Sequence, residues 1–146
     1  MIINNFTYGG TALTDSFESC ILTAYQDSKG VWTIGWGSTG PGIVEGLVWT
    51  QEQADSDRDV KLLLAQACVN ISVDVAITQD ENDGLVDLVY NIGRQAFRNS
   101  TMLRLLNAGN IEGAAGEFDK WDFSGGVQVA GLLRRRQAET QLFDKT

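Results

Sequence analysis

The 146 residues predict an α+β fold: a small β-hairpin lobe, then a larger helical lobe, with a long helix joining them. Three observations carry this. Ala24–Gln26 and Val31–Trp36 are short strand-like runs on either side of the turn Ser28-Lys29-Gly30. Beyond Trp49 the apolar residues recur at helical spacing instead of alternating. Thr50-Gln51-Glu52-Gln53 and Thr78-Gln79-Asp80-Glu81 read as capping boxes, in which side chain and backbone satisfy each other at a helix start.

Thr11 or Thr14 caps a first helix running to about Cys20, with Leu13, Phe17 and Ile21 on its apolar face. The hairpin follows. Gly35, Gly37, Gly40 and Gly42, with Pro41, make the next stretch a loop, and Ile43–Trp49 is a candidate third strand. The box at Thr50 opens a helix to about Val69. Its acidic start, Glu52, Asp55, Asp57 and Asp59, suits the helix dipole and reads as a solvated face. The box at Thr78 opens a helix through Leu85, Leu88, Val89 and Ile92, ended by Gly93. Ser100 caps a short helix to about Asn107, closed by Gly109, and Asn110–Trp121 gives another. Gly125-Gly126 forms a loop before a last helix, Ala130–Phe143. The boundary expected near Trp49/Thr50 divides a single domain, 1–146, into lobes of about 12–49 and 50–146.

With 43% hydrophobic and 21% charged residues, the chain has the composition of a globule with a real core. No apolar run approaches the roughly 18 residues of a membrane span. The start, M-I-I-N-N-F-T-Y-G-G, lacks a basic region and a continuous apolar stretch, so neither a secretory signal nor a membrane anchor is expected. The net charge is −8; the first 80 residues hold 10 acids against 3 bases. Nucleic acid, which needs basic clusters, is not an expected partner. Histidine is absent and the two cysteines, Cys20 and Cys68, lie far apart, so no metal site is expected. Two half-buried thiols are the simpler reading of the cysteines, and a disulfide is the alternative.

The stretch F-E-S-C-I-L-T-A-Y-Q-D-S-K-G-V-W-T-I-G-W-G carries the chemistry. Two carboxyls are what hydrolysis of a glycosidic bond needs. Glu18, beside Phe17 and Ile21, is placed to resist ionisation and act as general acid. Asp27, at a polar turn, is expected to stay ionised. Thr33, on the returning strand, can orient a water that Asp27 holds. A carboxylate after a helix and another before a turn are also common structural features, and spacing alone does not decide between the two readings.

From Phe17 to Thr39 the chain resembles the phage-type lysozymes, glycoside hydrolase family 24, used by phages as endolysins. Their pattern, E-G, about six residues, A-Y-x-D, then G-x-x-T-I-G-x-G-H-T, stands here as Glu18-Ser19, Ala24-Tyr25-Gln26-Asp27 and Gly30-Val31-Trp32-Thr33-Ile34-Gly35-Trp36-Gly37-Ser38-Thr39. Leu85 to Phe97 is similar to the family's F-N-x-G-x-x-A-F element, and Gly131-Leu132-Leu133-Arg134-Arg135-Arg136 to its G-L-x-x-R-R element. The resemblance covers most of residues 13–143, in the family's order.

It implies a lysozyme-like fold and a muramidase without cofactor or metal. The implied substrate is peptidoglycan glycan strands, cut at the β-1,4 link between N-acetylmuramic acid and N-acetylglucosamine with inversion. The implied catalytic residues are Glu18 as acid, Asp27 as the support of the attacking water, and Thr33 as its second holder. The family departs from this chain at Ser38, where His is usual, and at Ser19, where Gly is usual; the former bears on packing beneath the site. Trp32, Trp36, Ser38 and Arg135 are candidate substrate contacts, and Trp49 is a further tryptophan placed to stack on a sugar; Trp121 reads as core. The triplet Arg134, Arg135 and Arg136 can instead form surface salt bridges, and the family pairs an arginine here with acids behind the cleft. The expected protein is a monomer made in the host cytoplasm and released to the periplasm and wall at lysis by a separate holin. Two rivals stay open: an inactive wall-binding or virion structural module, and a chitinase or lytic transglycosylase on the same scaffold.

Overall fold

Both capping boxes form. Thr78 N donates to Glu81 Oε1 at 2.8 Å while its hydroxyl accepts from Glu81 N at 3.1 Å. Thr50 N donates to Gln53 Oε1 at 2.9 Å while Thr50 Oγ1 accepts from Gln53 N at 3.1 Å. Each box satisfies backbone groups that a helix start leaves without partners.

The computed structural model describes residues 4–124 and 127–144. Its elements run α1 (Thr11–Phe17), β1 (Ile21–Gln26), β2 (Trp32–Gly35), α2 (Gln51–Ser72), α3 (Gln79–Ile92), α4 (Arg94–Arg98), α5 (Thr101–Asn107) and α6 (Ile111–Ala115). A 3₁₀ turn (Phe118–Trp121), β3 (Phe123–Ser124), β4 (Val127–Gln128) and α7 (Ala130–Phe143) complete the order. The fold is the expected α+β arrangement, a β1–β2 hairpin lobe and a helical lobe. The chain divides into two compact units, Ala12–Lys61 and Met1–Thr11 with Leu62–Thr146, so α2 contributes to both.

In the unit Ala12–Lys61, β1 and β2 pair antiparallel with Tyr25 opposite Thr33 and Gln26 opposite Trp32; the register shifts between Ile21 and Tyr25. Its buried apolar residues are few, chiefly Ala24, Ile34 and Ala54, joined by the buried Thr14, Thr33 and Ser38. Gly35 lets the Trp49 ring lie on the strand: a Cβ there would stand 2.9 Å from the indole.

Several boundaries differ from the sequence reading. The candidate strand Ile43–Trp49 makes a single bridge, Val48 with Thr23, because the chain turns at Val44–Leu47, where Leu47 N bonds Val44 O at 3.2 Å. The first helix stops at Phe17, and Ile21 opens β1 instead. Asn110–Trp121 breaks at Gly116 into α6 and the 3₁₀ turn. The expected loop at Gly125-Gly126 lies outside the described residues. Cys20 and Cys68 are free thiols, Cys68 buried and Cys20 half-buried.

The helical unit is built around α3, which is buried from Glu81 through Val89 on every side. Such a helix must satisfy its own polar side chains. Asn82 exchanges amide bonds with Gln66 at 2.8 and 2.9 Å, and Asp83 accepts from Gly9 N at 3.2 Å. Gly84 sets the approach of α7: a Cβ there would meet the Glu139 carbonyl oxygen at 2.9 Å. Leu85, Leu88, Val69, Phe97 and Leu106 fill the centre. Phe118 and Phe143 meet edge to face at 5.4 Å, a geometry worth about 0.5–1.5 kcal/mol beyond its area.

Candidate active site

All three expected catalytic residues lie in the unit Ala12–Lys61, and each is tied to β2 or its flanks. Glu18 follows α1 directly, its N–H closing the last turn on Thr14 O at 3.1 Å. Its carboxylate lies against Gly37, just beyond β2: a Cβ on that residue would stand 2.8 Å from Glu18 Oε2. Gly37 has φ +90°, a backbone setting that a side chain rarely tolerates. The glycine thus supplies both the turn after β2 and the room for the carboxylate.

Asp27 and Thr33 are held on the two sides of Val31. Asp27 Oδ1 accepts from Lys29 N at 2.8 Å and Val31 N at 2.9 Å, while the Asp27 and Val31 backbones also bond at 2.9 Å. This local turn fixes the carboxylate through one oxygen. The buried Thr33 hydroxyl donates to Val31 O at 2.9 Å, leaving its oxygen able to accept. The hairpin turn therefore orients both groups with its own peptide bonds.

The candidate substrate contacts divide. Trp32 is half-buried beside this turn. Trp36 donates its indole N–H to Asp55 Oδ1 at 2.8 Å, and Arg58 lies 5.2 Å over its ring. Ser38 is buried; its backbone bridges Ile34, and its hydroxyl accepts from Lys61 Nζ, which also stands 3.5 Å from Asp57. At the position where the resemblance leads one to expect His, Ser38 instead accepts from Lys61. The acidic start of α2 is thus only partly a solvated face: Asp55 holds Trp36 and lies near Arg58, Asp57 holds Lys61, and the exposed Asp59 pairs with Arg58 at 3.1 Å. Donation from Trp36, then from Gln51, holds the Asp55 carboxyl below its usual range.

Arg135 belongs to the helical unit and is 3% exposed, so it is not one of a set of surface ion pairs. Its guanidinium forks onto Asp87, with Nε to Oδ2 at 2.9 Å and Nη2 to Oδ1 at 3.0 Å. Arg136, fully buried, stands 2.7 Å from Glu139 and donates to it at 3.1 Å. Arg134 is the exposed member of the triplet. Burial, then a hydrogen bond shared with Asp87, pushes the Glu139 carboxyl well above its usual range against the pull of Arg136 and Arg135.

Sequence reasoning missed Arg58, Lys61, Asp15 and Asp87. The i, i+3 spacing of Asp55 and Arg58 and the i, i+4 spacing of Asp57 and Lys61 mark the α2 pairs locally, but their partners on α1 and beyond β2 are long-range. Among the described residues no group of three or more His, Cys, Asp or Glu could hold a metal ion. None of the described helices is long and apolar enough to cross a membrane.

The phage lysozyme family model matches residues 15–139, which include every candidate catalytic residue. This chain belongs to the phage lysozyme family. Among its relatives is the endolysin of Acyrthosiphon pisum secondary endosymbiont phage 1, 39% identical over 92% of this chain and 94% of the relative. Among solved structures, the endolysin from Escherichia coli O157:H7 phage FAHEc1 superposes with a TM-score of 0.86 at 33% identity, covering 99% of this chain and 97% of its own. The muramidase domain of SpmX from Asticaccaulis excentricus gives 0.84 at 35% identity, over 98% and 99% of the two chains.

Proposed function

We propose that this phage lysozyme family member is an endolysin that hydrolyses the β-1,4 bond between N-acetylmuramic acid and N-acetylglucosamine in bacterial peptidoglycan. One observation carries the reading: Glu18, Asp27 and Thr33 are all anchored to one short hairpin and its flanks, within the region that matches the family.

The chemistry follows from what each group can do. Glu18 gives its proton to the glycosidic oxygen as the bond to the anomeric carbon breaks. Positive charge grows on the sugar ring, and the Asp27 carboxylate stabilises it. A water molecule attacks from the opposite face. One of its hydrogens points to Asp27, which takes the proton. The other points to the Thr33 oxygen, whose own hydrogen is already given to Val31 O. That pair of acceptors leaves the water's lone pair directed at carbon. Inversion by this route needs about 6.5–9.5 Å between the two carboxyls, enough for the water. Proton transfer by a placed acid is worth roughly 10²–10⁴ in rate.

The biological reading is wall degradation at lysis by a monomer made in the host cytoplasm and released through a separate holin. Mass spectrometry of digested peptidoglycan tests the reaction. Hydrolysis leaves reducing N-acetylmuramic acid ends. Anhydro-muramic ends mean a transglycosylase, activity on chitin alone means a chitinase, and intact wall after prolonged digestion means an inactive module.

A further inference from the structure

We propose that Arg58 is a positioning residue for Glu18, holding from one guanidinium both the segment that carries the acid and the segment the acid rests on. The inference rests on the reading of Glu18 as the catalytic acid.

The first hold runs through α1. Arg58 Nη1 donates to Asp15 Oδ2 at 2.8 Å. Asp15 sits on α1 three residues before Glu18, and the Glu18 N–H is bonded back to Thr14. Fixing Asp15 fixes the end of the helix from which the acid emerges. The second hold runs through the strand exit. The same guanidinium lies 5.2 Å over the Trp36 ring, whose N–H bonds Asp55, which itself stands 3.8 Å from Arg58. Trp36 directly precedes Gly37, the residue against which the Glu18 carboxylate lies.

The side chain is suited to this. It is 13% exposed and faces Asp15, Asp55 and Asp59, the last at 3.1 Å. A planar guanidinium can satisfy separate carboxylates in its plane while stacking on an aromatic face; an ammonium cannot do both. Burial raises the Asp15 carboxyl against the pull of Arg58, so the contact is held at a desolvation cost. Its value is geometric, because a general acid misplaced by about 1 Å can lose roughly 100-fold in rate.

The test is Arg58→Lys, which keeps the charge and loses the planar guanidinium that reaches separate carboxylates and lies over the Trp36 ring, with Arg58→Gln beside it. Turnover on soluble uncross-linked glycan strands is measured below the melting temperature of each variant, and crystal structures locate the Glu18 carboxylate. The inference expects kcat to fall at least 10-fold in Arg58→Lys with KM within twofold, and the carboxylate to leave Gly37 or occupy several rotamers. Unchanged kcat, or a lower kcat with the carboxylate still seated on Gly37, overturns it. If wild type itself cleaves no glycan, the proposed function fails, and the seat of Glu18 alone decides the role of Arg58. Should Arg58→Gln not fold, Arg58→Lys and the conservative Asp15→Asn carry the same comparison.

Discussion

Replacing Arg135 by Met should cost the protein about 3–5 kcal/mol of unfolding free energy, the range for removing one partner of a buried ion pair. The figure follows from what is left behind. The side chain of Arg135 is 4% exposed and that of Asp87 is fully buried. The substitution removes two charge-assisted hydrogen bonds, at 2.9 and 3.0 Å, each worth about 1.5–3 kcal/mol net. Asp87 is then left as a buried carboxylate with its main counter-charge gone; Glu139, which stands 3.9 Å from Arg135 Nε, loses a weaker one. For a chain of this length the whole stability is on the order of 7–22 kcal/mol, so the loss is a large share of it. Urea unfolding followed by tryptophan fluorescence measures it. Arg134→Met, at the exposed neighbour, is the control and should stay within about 0.5 kcal/mol. The double change Asp87→Leu with Arg135→Met should recover most of the loss, because a buried pair replaced whole by apolar groups is often neutral. A loss below about 1 kcal/mol for Arg135→Met would refute the reasoning about this buried fork.

Other outcomes follow from the same structure. Glu139, with its carboxyl raised by burial, keeps a proton in the folded protein that the unfolded chain releases once the pH passes its ordinary value of 4.5. Stability should therefore fall as pH rises from about 4.5 toward the raised value, by at most about 1.4 kcal/mol per pH unit for one proton. Glu139→Gln should flatten that slope in unfolding experiments, and an unchanged slope speaks against it. Gly37→Ala should reduce activity far more than stability. The backbone strain costs about 1–2 kcal/mol, while the new methyl displaces the end of a flexible side chain, the Glu18 carboxylate; a fully active, folded Gly37→Ala contradicts the seat assigned to Glu18. Asp27→Asn keeps the acceptor that Lys29 and Val31 use, so it should lose activity with its hairpin intact by NMR, while Thr33→Ala should lose less. Equal activity for Asp27→Asn and wild type would remove Asp27 from the reaction.

The local signals in the sequence are legible because they are local. A capping box at Thr78 or Thr50 satisfies its own helix start, and a turn at Ser28-Lys29-Gly30 needs nothing beyond the hairpin. The candidates Glu18, Asp27 and Thr33 came from the family resemblance, since spacing alone left them undecided, and the place of Gly37 against the Glu18 carboxylate is a finding of the structure. Contacts made across distance were not legible. The Ile43–Trp49 run has strand-like residues but turns at Val44–Leu47 and leaves one bridge. Arg135 looks like part of a solvated basic run until α7 lies against α3 and brings it to Asp87, 48 positions away. The acidic start of α2 looks uniform, yet Trp36, Arg58 and Lys61 engage three of its carboxylates, Asp55, Asp57 and Asp59. The partner of Ser38, Lys61, lies 23 residues on and leaves no local signal.

The most direct measurement compares glycan cleavage by wild type and Glu18→Gln, both purified and shown to be folded by thermal melting. A glutamine of the same shape can occupy the seat on Gly37 but has no proton to give the leaving oxygen. A loss of at least about 100-fold in kcat is expected, with little change in melting temperature. A Glu18→Gln protein that cleaves peptidoglycan within twofold of wild type contradicts it.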